Sequence, residues 1–406
     1  MDFRTWSEHL RGGPIEVQDE GGGVMTIDTT MDRSPNRPEM PVPLDDSMRT
    51  LGEQIAEIHD RVREIAPAVT RMAFALYEPH DDLLKTFINS THDGWALAGY
   101  QYRLRDSFSL SEIAATRTPR ALTDIPHQLD RPTAHTEYVK GEGYISSFTV
   151  PMFHHGELLG FVFFDSRDPA AFTPPVMRQL VVYCSLVTLA VVNDMSAISS
   201  VISTIQIARD FTQLRDNETA HHRDRMARYS RIMARDQARE FGLTDEQVEH
   251  VFLFAPMHDI GKIGIPDRIL LKPGKLTHEE FEVMKTHTTL GGTMVDSILR
   301  DLDRISVPDQ QMLFDIVVAH HEKLDGSGYP HGLRGDEVPA VARIVAVADI
   351  FDALTSDRPY KRQWSVDDAF DELHRMVEAG LLDARAVAAL VNARAEVEQV
   401  RTTYPN

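Results

Sequence analysis

From about Arg209 to Glu398 the chain is patterned as helix almost throughout, and its histidines and acids fall at set places within that pattern. Glu218 and His222 stand four residues apart and so share one helix face. His258 and Asp259 are adjacent near a helix end, just before Gly261. His287 lies near the end of the next helix, His320 and His321 are adjacent on another, and Asp349 sits inside the otherwise apolar run RIVAVADIFDAL. Helix faces project side chains inward at defined spacing, so a bundle of these segments can carry a metal site in its interior. Taken one at a time, a His-Asp pair reads as a turn or cap, a His-His pair as structural, and a lone Asp as a cap or the answer to a buried Arg. Taken together, five imidazoles and three carboxylates suit first-row divalent metals such as Fe and Mn. Adjacent pairs can reach two metals, an Asp can bridge them with its two oxygens, and two or three close metals can activate water and clamp a phosphoryl group in line.

The ends of these helices are also marked. Thr244 with Gln247, and Thr277 with Glu280, have the spacing of a capping box. Gly242 closes the segment before Thr244, and Pro256, just upstream of His258, is expected to kink its helix. Arg343 is expected to make a structural ion pair inside a core helix, and His221 to point away from the face shared by Glu218 and His222.

The first half reads differently. Residues 1–48 mix Gly, Pro and charge with few bulky apolar residues, which predicts a flexible arm. Leu51, Ile55, Ile58, Val62 and Ile65 recur at helical spacing. VTRMAFALYEP and LLKTFINST read as strands, SEIAATRTPRALTDI as a short helix, a turn and a strand, and ISSFTVPMFHHGELLGFVFFDS as a hairpin turning through His154, His155 and Gly156. A long helix then begins at Thr-Pro-Pro. Along it Val191, Met195, Ile198, Ile202 and Ile205 fall at alternating four- and three-residue steps, the seam of a parallel dimeric coiled coil or one face of a single helix on its own domain; the dimer connector is the preferred expectation.

Charge narrows the partners. With 42 Lys+Arg against 62 Asp+Glu, the formal charge is −20, which argues against nucleic-acid polymers and anionic membrane surfaces. The single cysteine, Cys184, excludes an internal disulfide and reads as a buried apolar residue. Its run of about 13 apolar residues is short for a bilayer span, where ~20 are needed, and the N-terminus lacks an apolar signal core, so a cytoplasmic protein is expected.

Two resemblances sharpen this reading. Residues of about 50–195, with the order helix, strands, ALTDI, GYISSFTVPMFHHGELLGFVFFDS and terminal helix, resemble a GAF sensory domain. His92, His127, His135, His154 and His155 show no ligand spacing there and are expected to be solvated. The motifs HDIGKIGIPDRILLKPGKLTHEEFEVMKTH and HHEKLDGSGYPHGLRGDEVPAVARIVAVADIFDALTSDRPYK closely resemble the HD-GYP family of cyclic di-GMP phosphodiesterases. The resemblance implies an α+β multidomain chain: an N-terminal GAF-like α/β sensory domain (49–195), joined by a helical connector (196–216) to an all-α HD-GYP helical bundle (217–400).

It also implies roles. Metal ligands would be His222, His258, Asp259, His287, His320, His321 and Asp349, with Glu218 supporting a third metal. Lys262 would face the scissile phosphate, and Asp259 and Lys262 would be catalytic. Gly328 and Tyr329, in the loop DGSGYP with Gly326 and Pro330, would lie beside the substrate, Arg358 and Lys361 would grip its phosphates or bases, and Asp352 would sit behind the metals. Thr288, Ala220 and Pro256 depart from the family pattern without removing a ligand. The expected reaction is metal-dependent hydrolysis of cyclic di-GMP to pGpG or GMP. The alternatives are a metal-loaded receptor with little turnover, or a phosphodiesterase for a related dinucleotide such as cyclic GMP-AMP. Two or three divalent metals, Fe or Mn, are the expected cofactors. A homodimer through the connector and GAF-like domain, and contact with a diguanylate cyclase or other signalling proteins, are the expected partners.

Overall fold

The computed structural model describes residues 49–92, 99–129, 134–210, 220–302, 305–356 and 363–405, together with two short strands near the N-terminus. These strands, β1 (Ile15–Gln18) and β2 (Val24–Ile27), pair antiparallel with Ile15 opposite Ile27. They belong to a separate unit, residues 1–45, and the rest of the expected arm lies outside the described residues.

Residues 46–406 form the second unit. Its first helix, α1 (Leu51–Ile65), starts at a capping box in which Thr50 and Glu53 satisfy each other's backbone amides. A six-stranded antiparallel sheet follows, built from β3 (Arg71–Glu78), β4 (Leu83–Thr91), β5 (Gln101–Arg103), β6 (Arg120–Leu122), β7 (Ser146–His154) and β8 (Glu157–Ser166). The spatial order is β5-β4-β3-β8-β7-β6. The β7–β8 hairpin turns through His155 and Gly156, both with positive φ, as its sequence predicts. Strand alternation sends Met72, Phe74, Val162 and Phe164 to one face and Ala73, Phe161 and Phe163 to the other. The first face packs on α1 and on a long helix described below. The second is covered in part by α2 (Phe108–Thr116), with α3 (Ile125–Gln128) and α4 (Ala134–Gly141) beside it.

The long helix, α5 (Pro174–Asp210), has 37 residues. By length and composition alone it could cross a bilayer, a longer apolar element than the 13-residue run suggests. In the fold one face is spent on two cores. Leu180, Cys184, Val187 and Val191 pack into the sheet domain, and Ala197, Ile198, Val201 and Ile205 pack into the helical domain. This corrects the coiled-coil expectation: Val191, Ile198 and Ile205 are 0%, 2% and 0% exposed, and Met195 and Ile202 pack against the same cores, so the seam is filled by the chain itself.

The helical domain comprises α6 (Ala220–Asp236), α7 (Ala238–Phe241), α8 (Asp245–Phe254), α9 (Asp267–Leu270), α10 (His278–Lys285), α11 (His287–Leu302), α12 (Val307–Ala319), α13 (Ala340–Thr355), α14 (Val366–Glu378), α15 (Ala384–Asn392) and α16 (Arg394–Thr403). The capping boxes at Thr244 and Thr277 form as expected, and Gly242 takes the left-handed conformation that ends α7. Tyr229, Phe254, Leu313, Ile344 and Phe351 centre the core. Arg343 pairs with the buried Asp383 at 3.1 Å, the structural role expected of it.

The sheet domain docks on α6 and α8 through buried charges. Lys85 Nζ lies 2.5 Å from Glu78 and 2.9 Å from Glu249, and Arg231 lies 3.2 Å from Glu78. The backbone amide of Gly99 donates to Asp245 at 2.8 Å. Opposite charges alternate in this network, which is what makes burying Lys85 tolerable.

Two predictions follow from this packing. His59 is fully buried beside Ser90, and burial, aided by the nearby His92, lowers its pKa from 6.5 to about 4. The unfolded chain therefore binds a proton that the folded one refuses, so this contribution is intact above pH 6.5 and is lost as pH falls towards 4, up to about 3 kcal/mol. Urea unfolding at pH 7 and pH 4.5 checks it: the wild type loses more stability than His59→Asn, and equal losses would refute the account. At Gly261 an added Cβ would lie 1.8 Å from the His287 carbonyl oxygen, so Gly261→Ala must push the segment after Asp259 off α11. It is expected to cost more than about 2 kcal/mol, read as a lowered urea midpoint.

Candidate metal centre

Pro256 cannot continue the hydrogen bonding of α8, and the chain tightens into a 3₁₀ turn over Ala255–Met257. This turn delivers His258 and Asp259 into the interior, where the bundle brings the expected ligands together in two groups. Asp259, His287, His320 and His321 form one, and His222, His258 and Asp349 form the other; within each, the donor atoms lie within 4.8 Å of one another. The groups meet at the adjacent pair. His258 Nε2 is 3.1 Å from Asp259 Oδ2 and 4.0 Å from Asp349 Oδ1, while Asp259 Oδ1 is 3.2 Å from His287 Nε2 and 3.9 Å from His320 Nε2.

The rings are oriented by their other nitrogens. Nδ1 of His258 donates to the Ala255 carbonyl at 2.9 Å, Nδ1 of His287 to Met284 at 2.8 Å, and Nδ1 of His320 to Ile316 at 3.0 Å. A carbonyl can only accept, so these tautomers leave the Nε2 lone pairs directed at the cluster. His222 Nδ1 donates instead to Asp352 Oδ2 at 2.7 Å. Asp352 is itself clamped by Arg225, at 2.5 Å and 2.9 Å. Burial would raise the Asp352 carboxyl, but the hydrogen bonds from Arg225 and His222 outweigh it and bring it down to about 2. Asp352 is therefore an ionised orienter behind a metal-type ligand. Arg225 was missed by the sequence reading, although it stands three residues after His222 on the same helix.

Electrostatics favour the metal-binding protonation states. Burial lowers His320 well below the ordinary histidine value and His321 to about 4, helped by the neighbouring imidazoles. Both rings are thus neutral at pH 7, as ligation requires. Burial opposes ionisation of Asp259, but the ammonium of Lys262, with the imidazoles of His258 and His287 beside it, holds its pKa well below the usual range. Lys262 Nζ lies 2.6 Å from Asp259 Oδ2 and remains partly exposed. A donor set of imidazoles and carboxylates fits divalent first-row metals.

The loop carrying Gly328 and Tyr329 closes one side. Tyr329 sets its ring 4.7 Å from that of His321 and 6.3 Å from that of His287. A Cβ at Gly328 would lie 2.3 Å from the Lys323 nitrogen, so only glycine allows this approach. Glu322, also missed from sequence, is buried under the loop and accepts from the amides of His331, Gly332 and Leu333 at 2.7 Å, 3.1 Å and 3.0 Å. Its place directly after the His-His pair was the available signal.

Glu218, Arg358 and Lys361 lie outside the described residues. His221 is exposed and bonds the Pro405 carbonyl at 2.6 Å, away from the cluster. In the sheet domain His92, His127, His154 and His155 join no group of three ligand-type residues among the described residues, and the His135 side chain is not described. That domain holds a cavity of ≈ 310 Å³ whose lining includes Arg71, Lys85, Tyr102, Phe108 and Arg120.

Comparison with known proteins agrees with this division. The GAF domain family matches residues 51–191 and the HD domain family residues 206–386. The cyclic di-GMP phosphodiesterase response regulator RpfG of Xanthomonas campestris is 42% identical over 188 residues, 46% of this chain and 47% of that protein. A cyclic di-GMP phosphodiesterase of Thermotoga maritima is 43% identical over 196 residues, 48% of this chain and 50% of its own length. The 3'3'-cGAMP-specific phosphodiesterase 2 of Vibrio cholerae is 35% identical over 195 residues, 48% of this chain and 35% of that protein. The chain spans half or less of the length of these relatives. With a sheet backed on one face by α1 and α5 in its first half and a helical bundle enclosing a His/Asp cluster in its second, the chain carries a GAF domain followed by an HD domain.

Proposed function

We propose that this chain hydrolyses cyclic di-GMP to pGpG or GMP at the HD-domain cluster, under the control of the GAF domain. The observation that carries the reading is the convergence of His222, His258, Asp259, His287, His320, His321 and Asp349 into two adjoining groups. The names of the relatives supply the substrate class.

In this reading those seven residues hold two divalent metals, Fe or Mn, and Glu218 supports a third. Bound there, the metals would polarise the phosphoryl oxygens and activate water. Lys262 supplies positive charge where negative charge develops on the phosphoryl group; its contact with Asp259 keeps the ammonium at the cluster edge. Asp352 and Arg225 hold the His222 ring in register. Tyr329 offers a ring beside His321 on which a guanine can rest, and Gly328 lets the loop come close. Arg358 and Lys361 are assigned the substrate phosphates or bases.

Regulation has a physical route. Lys85 lines the GAF cavity and also joins the buried charge network to Glu249 on α8, so a change in the cavity is felt at the HD domain. A homodimer through α5 and the GAF domain, a cytoplasmic location and contact with a diguanylate cyclase or other signalling proteins complete the reading. Val182, Leu186 and Leu189, 61%, 47% and 57% exposed at four- and three-residue steps, support the dimer on a different face from the seam first expected.

A second reading, hydrolysis of 3'3'-cGAMP, is favoured by the relative of that specificity. Metal-replete protein is incubated with each dinucleotide and the nucleotides are separated. Cyclic di-GMP is expected to be consumed faster; a preference for 3'3'-cGAMP would favour the second reading, and stoichiometric binding without product would make the chain a receptor. His258→Ala and Asp259→Ala are expected to abolish metal-dependent turnover, and Lys262→Ala to lower kcat on the order of 10²- to 10³-fold with metal content retained. Full turnover in both ligand variants would refute the assignment.

A further inference from the structure

A second group of buried ligand-type side chains lies at the junction of the two domains, separate from the cluster around Asp259. It joins Asp194 on α5 to Glu246 and His250 on α8, with donor atoms within 4.8 Å of one another. Three segments far apart in sequence meet there, because Asp309 at the start of α12 stands behind His250. His250 is 1% exposed and Glu246 5% exposed.

The arrangement has the parts of a metal site. Asp309 Oδ1 accepts from His250 Nδ1 at 2.6 Å, and its other oxygen accepts from the Ser306 hydroxyl. This carboxylate fixes the ring so that Nε2 faces inward, the carboxylate–histidine arrangement that orients metal ligands. Among the described residues, His250 Nε2 has no hydrogen-bond partner, and neither has Glu246 Oε1 or Asp194 Oδ2. Glu246 is steadied by its other oxygen, which accepts from the Gly52 amide at 3.2 Å. Asp194 Oδ2 is 3.9 Å from His250 Nε2, compared with ~3.3 Å between neighbouring donors of a tetrahedral zinc shell. Phe87 and Phe254 wall the ring, at 6.5 Å and 5.8 Å.

The charge count points the same way. Among the described residues, the charged groups that act most on Asp194 are His250 and Asp309, and on Glu246 His250, Asp194 and Asp309, none of them lysine or arginine. Three buried acids share one imidazole. Burial raises Asp194 to about 6 and Glu246 to about 7, and the three acids raise His250 in turn against its own burial, so one imidazole is left to answer three carboxyl groups.

We propose that Asp194, Glu246 and His250 bind one divalent cation of the zinc type, tying the inter-domain helix α5 to α8 of the HD domain. The imidazole donor selects a first-row metal over Mg²⁺ or Ca²⁺. Two carboxylates neutralise the ion. The site lies on the only described helix that contributes to both cores, so its occupancy bears on how firmly the GAF domain is held against the HD domain.

The test uses the full chain, stripped with chelator, reloaded with Zn²⁺ and freed of excess. Zinc per chain is counted by mass spectrometry in the wild type and in the double variant Asp194→Asn/Glu246→Gln, which keeps side-chain shape while removing two buried charges. The expected result is one zinc fewer per chain in the variant and a smaller zinc-induced rise in Tm. Equal zinc counts would overturn the site. Should the variant fail to fold, crystals of zinc-loaded wild type decide: an anomalous peak between the three side chains establishes the site, and its absence overturns it.

Discussion

A carboxylate buried among imidazoles has to be ionised to be useful and desolvated to be in place, and Asp259 meets both demands. Lys262 lies on one side, His258 and His287 on the other, and burial alone would favour the protonated form. The surrounding structure serves this balance. The 3₁₀ turn at Pro256 brings the pair inward, Gly261 lets the following segment touch α11, and the rings of His222, His258, His287 and His320 each use a carbonyl or carboxylate to hold their tautomer. Moving any one of these would leave a buried charge without its partner, which costs far more than the pair contributes when whole. The tautomers of His258, His287 and His320 are thereby set with Nε2 towards the cluster.

The same logic governs the domain junction. The GAF and HD domains are not separate bodies on a flexible tether in this fold. One helix supplies side chains to both cores, and a second connection runs through Lys85, Glu78, Arg231 and Glu249. A buried network of alternating charge is specific in geometry and intolerant of partial rearrangement, so a change at either end is transmitted or resisted as a unit. Because Lys85 also lines the GAF cavity, the network has one foot in the place where a small ligand would sit.

How much could be read in advance followed from the range of the physics. The capping boxes at Thr244 and Thr277, the hairpin at His155–Gly156 and the strand alternation are local, and each was legible from a few residues. The seven residues that meet in the cluster were legible because they stand in long motifs, and their bland single-residue readings weaken only when all are taken together. The α5 seam was not legible: four- and three-residue steps are the same whether the facing helix belongs to another copy or to the chain's own core, and only the fold shows that Val191, Ile198 and Ile205 are filled from within. Arg225 and Glu322 were missed because each acts on backbone or on a second acid rather than on the cluster itself. Asp194, Glu246, His250 and Asp309 are separated by up to 115 positions in the chain, and no periodicity links α5 to α12.

The net charge of −20 takes on a different meaning once the acids are located. A diffuse negative surface would repel an anionic dinucleotide, but several of these acids are directed inward. Asp259 and Asp349 face imidazoles, Asp352 faces Arg225, and Asp194, Glu246 and Asp309 face one histidine. Inward acids contribute little to the field met by an approaching ligand and much to the affinity for cations, which then invert the local sign. The formal sum therefore remains a sound argument against polymers bound by a basic surface, and is no argument against a small phosphodiester bound at a cation-bearing cluster. Which acids are buried and which face solvent is a quantity that a count of side chains does not contain.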